Sequence, residues 1–459
     1  MARIAHIPQP SIALPRTRPT LPLARFLDRR TAVLGAMAAA GLDALVIYGD
    51  REHGGDLHYL TGVDPRFEEG VFVLTRDGGA TILLGNENLG YAPDPGLEIR
   101  VELYQELSPQ GQFRHRPVQL ADLLRSAGLE PGVKAGIVGA KNLRAGFIAD
   151  PAKAFGVPSY LVDTVRALLG EERVVNAQEL FVHPEHGVRS INTAHEIAEA
   201  EYASCFNSAS VNRATEGLAV GVRADELAGS LFDGGIAHSV HFMVNFGLKT
   251  ARGLSSPSDQ RAELGDAYQI AQGLRGSLTC RSGMIARSIE DLDATVGPFY
   301  EAVALNYFDT MLTWYRSIRI GATGGEVFAA ADAARDPELF EFALNPGHTL
   351  AFEEWLSSPF EPGNPAKLRS GVLLQGDIIP VAKGPHIGVN IEDGLALADE
   401  ALRNEIADLY PEAQERIDQR RQYVRDVIGV EFDPAVLLLS NTPLWHAPYA
   451  LDRSRALTA

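Results

Sequence analysis

The chain has 459 residues, 46% of them hydrophobic and 22% charged, with a formal charge of -18. That length and composition suit two to three soluble domains, and so acidic a surface repels phosphate backbones, which excludes nucleic acid as an expected partner. No apolar run approaches the ~20 residues that span a bilayer, and two cysteines, Cys205 and Cys280, make no disulfide framework, so a reduced cytoplasmic protein with no membrane association is expected.

Residues 1–22 hold five prolines and no continuous hydrophobic stretch. They read as an extended arm packed on another part of the molecule or on a partner subunit, not as a signal peptide. A helix is predicted over Arg25–Ala40, stopped by Gly41, and an apolar strand follows at Ala44–Tyr48. Further strands are predicted at Val71–Leu74, Thr81–Leu84 and Ala135–Val138, with a helix over Val118–Ala127 between them. The alternation indicates an α/β domain over residues 23–176, and residues 177–192 read as a linker.

Thr193 and Glu196 form a capping box at the start of a helix whose apolar face carries Ala198, Tyr202, Cys205 and Ala209. A second long helix opens at Pro298, with Phe299, Val303, Tyr307, Met311, Trp314 and Ile318 along one side. Strands are predicted over His238–Phe246, Ala267–Thr279, Gly371–Pro380 and His386–Leu397, and a charged helix over Glu400–Arg425. Helices around an antiparallel sheet give an α+β domain over residues 193–459. No G-x-S-x-G elbow, H-E-x-x-H, paired C-x-x-C or P-loop occurs, which sets those chemistries aside.

Three segments carry the most chemistry: Asn345-Pro346-Gly347-His348 running on to Glu353-Glu354-Trp355, Gly371 to Asp377, and Gly388-Val389-Asn390-Ile391-Glu392-Asp393. In that order they resemble the catalytic half of the creatinase, prolidase and aminopeptidase P family, whose fold is called pita-bread. Tyr59-Leu60-Thr61-Gly62 resembles a turn in that family's N-terminal domain. The resemblance implies an α/β N-terminal domain followed by a pita-bread domain, and a homodimer.

It also implies a site. The family's metallopeptidases hold two metal ions with two Asp, one His and two Glu, and two close dications need anions between them. The position five residues after Gly265-Asp266 is Ala271, which cannot bind metal. The second Asp position falls on or next to Cys280, the His at His348, the first Glu position at Asp377 and the second at Glu392. The family's metal-free precedent, creatinase, uses a His as proton shuttle, but Leu254 stands at that position here. A second pocket His falls on Trp355.

The reading that follows is a metal-independent, creatinase-like hydrolase or lyase. It cleaves a C–N bond in a small amino-acid-derived substrate and needs no cofactor. His348, Asp377 and Glu392 line the pocket, with Glu354 and His241 as further catalytic candidates and Trp355, His238 and Trp445 as substrate contacts. An excess of buried carboxylates predicts a cationic substrate group. Two alternatives stay open. One is a non-catalytic ligand-binding protein on this scaffold. The other is a mononuclear Xaa-Pro peptidase-like enzyme holding one zinc or other divalent metal on Cys280, His348, Asp377 and Glu392.

Overall fold

The computed structural model describes residues 1–459 and divides them into two units, Leu21–Ser190 and a larger one of Met1–Thr20 with Ile191–Ala459. The first strand of the chain, β1 (Arg3–His6), belongs to the larger unit.

In the smaller unit the strands are β2 (Ala44–Gly49), β3 (Gly70–Thr75), β4 (Ala80–Leu84), β5 (Arg100–Leu103), β6 (Ala135–Val138) and β7 (Val174–Asn176). They form one sheet in the order β5-β4-β3-β2-β6-β7, antiparallel at β2–β3 and β3–β4 and parallel elsewhere. Helices α1 (Leu23–Ala39), α2 (Gly55–Thr61), α3 (Leu120–Ser126), α4 (Ser159–Leu169) and α5 (Glu179–Val182) complete it. β2 is buried along its whole length, with Ala44, Val46 and Tyr48 in one core cluster and Leu45 and Ile47 in another. A strand covered on both faces has no solvent side, so its sequence is a continuous apolar run.

The larger unit opens with α6 (Ala194–Glu216). At its start the backbone N–H of Thr193 donates to Glu196 Oε2 at 2.9 Å, and Cys205 is buried. Then come α7 (Ala224–Ala228), β8 (His238–Phe246), β9 (Ala267–Leu274), β10 (Ser277–Met284), α8 (Val296–Ser317) and α9 (Gly324–Ala334). β11 (Phe340–Phe342), β12 (His348–Thr349), β13 (Leu373–Asp377), β14 (Pro380–Ala382) and β15 (Asn390–Leu397) follow, then α10 (Glu400–Leu409), α11 (Pro411–Tyr423), β16 (Val436–Leu438) and β17 (Arg455–Thr458). The main sheet runs β12-β13-β15-β10-β9-β8, with β16 also on β15, and every pairing in it is antiparallel.

Two expected elements are divided. The strand expected over Ala267–Thr279 is the hairpin β9–β10, turned at Arg275-Gly276, where Gly276 takes φ 86°, a region open mainly to glycine. The helix expected over Glu400–Arg425 breaks at Tyr410, and Pro411 starts the next helix because it lacks the N–H that would continue the first.

The aromatic side of α8 is core. Tyr307, Met311, Trp314 and Ile318 are fully buried beside Ile391 and Leu395 of β15 in one cluster, each such side chain contributing roughly 1.5–3 kcal/mol. The proline-rich arm packs on its own unit. β1 pairs with β17, Pro8 O accepts from Tyr423 Oη at 2.7 Å, and Ile12 O accepts from Asn441 Nδ2 at 3.3 Å.

Candidate active site

Cross-strand register assembles the site. Ala271 faces Cys280 across the β9–β10 hairpin, Cys280 faces Glu392, and Glu392 faces Asp377. Met243 of β8 extends this row beyond Ala271. Side chains alternate along a strand, so residues two positions away share the same face. The neighbouring row on one side is Asn245, Gln269, Ser282 and Asn390. On the other side Gln375 lies between Gly394 and His348. Ala271, Cys280, Glu392, Asp377 and His348 are all buried.

His348 is delivered by the glycine before it. Gly347 takes φ 93°, and a Cβ there would come within 2.6 Å of the Trp314 ring and 2.9 Å of Gln375 O. His348 Nδ1 lies 3.2 Å from Thr349 O. Nε2 lies 3.1 Å from Glu354 Oε1 and 3.8 Å from Asp377 Oδ2. Nε2 makes no hydrogen bond in this arrangement. The Trp355 ring stacks on the imidazole, 4.2 Å between centroids and 20° between planes.

Three carboxyl groups thus surround one imidazole. Arg281, next to Cys280 in sequence, points to the opposite face, where its Nη2 binds both Asp393 oxygens at 2.9 Å. Burial, then the nearby Glu392 and Glu354 charges, hold Asp377 well above the usual carboxylate range. Burial and Glu354 push Glu392 up to about 7, against a hydrogen bond from Asn390 and the His348 charge. Both carboxyls are held above the usual range, and adjacent carboxyls that cannot both ionise share a proton as a pair. Asn390 Nδ2 donates to Glu392 Oε1 at 2.5 Å. Burial, Glu392 and Asp377 also raise the Cys280 thiol, which stays protonated.

The donor set does not fit the family's pair of metals. Ala271, which faces Cys280 in this row, offers only a methyl group and cannot ligate a metal. Cys280, His348, Asp377 and Glu392 are also not drawn to mutual ligand spacing, whereas Glu179, His183 and His186 in the smaller unit are.

The remaining candidates lie apart from His348. His238 Nε2 is 3.2 Å from Asp233 Oδ2, and its ring meets Phe242 edge-on. His241 is exposed, with Nε2 2.8 Å from the carbonyl of Leu254. Both are on β8, three strands from Glu392, a span of ~14 Å. Trp445 is buried in a cluster with Ala447, Ala456, Ile7 and Tyr423, under the Arg453 guanidinium, and its carbonyl accepts from Arg281 Nε on the face away from Cys280. Its surroundings are those of a core residue that anchors the arm. The amides Asn245, Gln269 and Asn390 were not among the sequence candidates. The signal for Asn390 was present, two residues before Glu392 on a strand, but the row becomes visible only once the turn at Gly276 sets the register.

No family model matches the chain, and no curated protein does. Among solved structures, a prolidase from Pyrococcus horikoshii OT3 is similar over 81% of this chain and 95% of its own, at 17% identity and TM-score 0.62. An Xaa-Pro dipeptidase from Bacillus anthracis matches over 82% and 96%, at 16% identity and TM-score 0.61. An Escherichia coli aminopeptidase P variant matches over 85% and 99%, at 16% identity and TM-score 0.55. Coverage near the full length of each neighbour, with the sheet order above, establishes that this chain has the two-part pita-bread fold of the prolidases and aminopeptidase P.

Proposed function

We propose that the chain is a metal-independent hydrolase or lyase acting on a C–N bond of a small amino-acid-derived substrate with a cationic group. The observation that carries this reading is the buried carboxyl pair Asp377–Glu392 beside His348 and Glu354, in a row where the Ala271 methyl faces Cys280. The fold neighbours include a prolidase and an Xaa-Pro dipeptidase, which supports C–N hydrolysis as the reaction class.

In the hydrolytic form, Glu354 takes a proton from water as the oxygen attacks the carbon of the C–N bond. The proton shared by Asp377 and Glu392 passes to the leaving nitrogen as that bond breaks. His348 Nε2 lies between Glu354 and Asp377 and returns the first proton to the pair. The excess of carboxyls over cations favours a guanidinium or ammonium group on the substrate, which supplies the missing positive charge. Trp355, stacked on His348, fixes the imidazole plane.

The test is elemental analysis of the purified chain together with turnover of guanidino and amino compounds in excess chelator. Turnover without bound metal is expected. Stoichiometric zinc, iron or manganese, lost together with activity on Cys280→Ala, overturns the reading in favour of the mononuclear alternative. The second reading, a ligand-binding protein without turnover, is favoured by Leu254 and Trp355 at positions where the resembling enzymes have histidines. A stabilising ligand recovered unchanged after long incubation decides for it.

No helix is long and apolar enough to cross a membrane. A cytoplasmic location, with a small molecule as the partner, completes the proposal. So does a homodimer, which rests on the family resemblance because the arm and the aromatic tail are packed within their own unit. Light scattering at micromolar concentration checks the dimer, and a monomer refutes it.

A further inference from the structure

At the end of the smaller unit, Glu179, His183 and His186 bring ligand atoms within 4.8 Å of one another. Their i, i+4, i+7 spacing would share one side of a helix, although α5 ends at Val182. The Glu179 carboxylate and the His186 ring are exposed, and neither is engaged by a hydrogen bond or ion pair from outside the group. His183 is half-buried and stacks on His186, with 3.4 Å between ring centroids and 17° between planes. Its Nδ1 faces the backbone N–H groups of Glu185 at 3.2 Å and His186 at 3.3 Å. An Nδ1 that accepts from two amides belongs to a neutral ring.

We propose that Glu179, His183 and His186 form a mononuclear site for a borderline divalent transition metal such as zinc, nickel or copper, separate from the cleft of the β-sheet. Two imidazoles and one carboxylate favour these ions over calcium and magnesium, which prefer all-oxygen shells. Three protein ligands leave at least one position for water. Donors around a tetrahedral zinc lie ~3.4 Å apart, so the group must contract by about 1.4 Å at most, within reach of exposed side chains. Parallel rings cannot both aim a lone pair at one ion, so the exposed His186 ring turns out of the stack on binding. His183 binds through Nε2, its proton moves to Nδ1, and the two long amide contacts give way.

The test is calorimetric titration of the full-length chain with Zn²⁺ after chelator treatment, and Cu²⁺ EPR at equal stoichiometry. One tight ion per chain is expected, bound at least tenfold more weakly by His186→Ala and by Glu179→Gln. The copper spectrum should show two nitrogen ligands, falling to one in His186→Ala. Both variants remove exposed groups that hold no backbone, so loss of folding does not confuse the result. Unchanged affinity in both variants, binding no tighter than that of a lone surface histidine, or an ion lost instead on Cys280→Ser overturns the proposal.

Discussion

Glu392 lies in the folded sheet with two carboxyl neighbours, one imidazole and no lysine or arginine on its face, which raises its pKa. Its pKa rises from 4.5 to about 7, first through burial and then through Glu354. Because the folded pKa is the higher one, the native state holds a proton that the unfolded chain has released between these limits. Stability from this group is therefore greatest below pH ~4.5 and falls as pH rises towards 7, by roughly 3 kcal/mol at one pKa unit per 1.36 kcal/mol. Glu392→Gln should flatten that slope, checked by urea midpoints at pH 5 and pH 7. An unchanged slope would show that Glu392 is not the group responsible. Glu354 differs because its side chain keeps 22% exposure beside a fully buried His348, so it is the carboxyl with access to incoming water. Glu354→Gln should lower kcat by 10²–10⁴-fold, the usual range for a lost general base, while ligand-induced stabilisation persists. Loss of ligand binding with kcat retained would reassign Glu354 to recognition.

At the level of elements, the site is a property of strand register. One residue of slip would turn a whole row to the opposite face, and the register here is set by the Gly276 turn and by Arg281, whose Nη2 reaches Asp393 and Thr442 on the far face. Ala271→Asp tests the register directly. It would add a carboxyl to the buried row, so the metal-free variant should lose about 1–3 kcal/mol, and added Mn²⁺ or Zn²⁺ should recover it. Denaturation midpoints with and without metal decide, and a neutral substitution would mean that position 271 does not face the row. How much of this was legible follows from the same geometry. His348, Asp377 and Glu392 stand in short motifs with glycines that force their surroundings, so local sequence marks them. Glu354 lies beyond the end of β12 in a bent segment, so strand alternation does not place it beside His348. The amide row and the distance of His241 depend on which strands pair, and pairing is non-local. Trp445 resembled a cleft aromatic by composition alone, yet the arm that covers it lies more than four hundred residues away in the chain.

On the scale of the whole chain, two separate cores and one strap govern stability. The smaller unit closes its sheet with its own clusters, and the larger unit has its own, so unfolding need not be a single transition. Residues 1–20 belong to the larger unit despite preceding the smaller one in sequence. There β1 occupies the edge of β17, Ala2 N donates to Asp309 Oδ1 at 2.8 Å, and Ile7 packs on the Trp445 cluster. Removing the arm would leave β17 with an unpaired edge and Trp445 partly uncovered, which costs stability only where those contacts are made and invites edge association. Deletion of residues 1–20 is therefore expected to lower the calorimetric transition of the larger unit, leave that of the smaller unit within error, and raise aggregation. Equal shifts in both transitions would show that the arm stabilises the chain by a route other than the contacts it makes with β17 and Trp445.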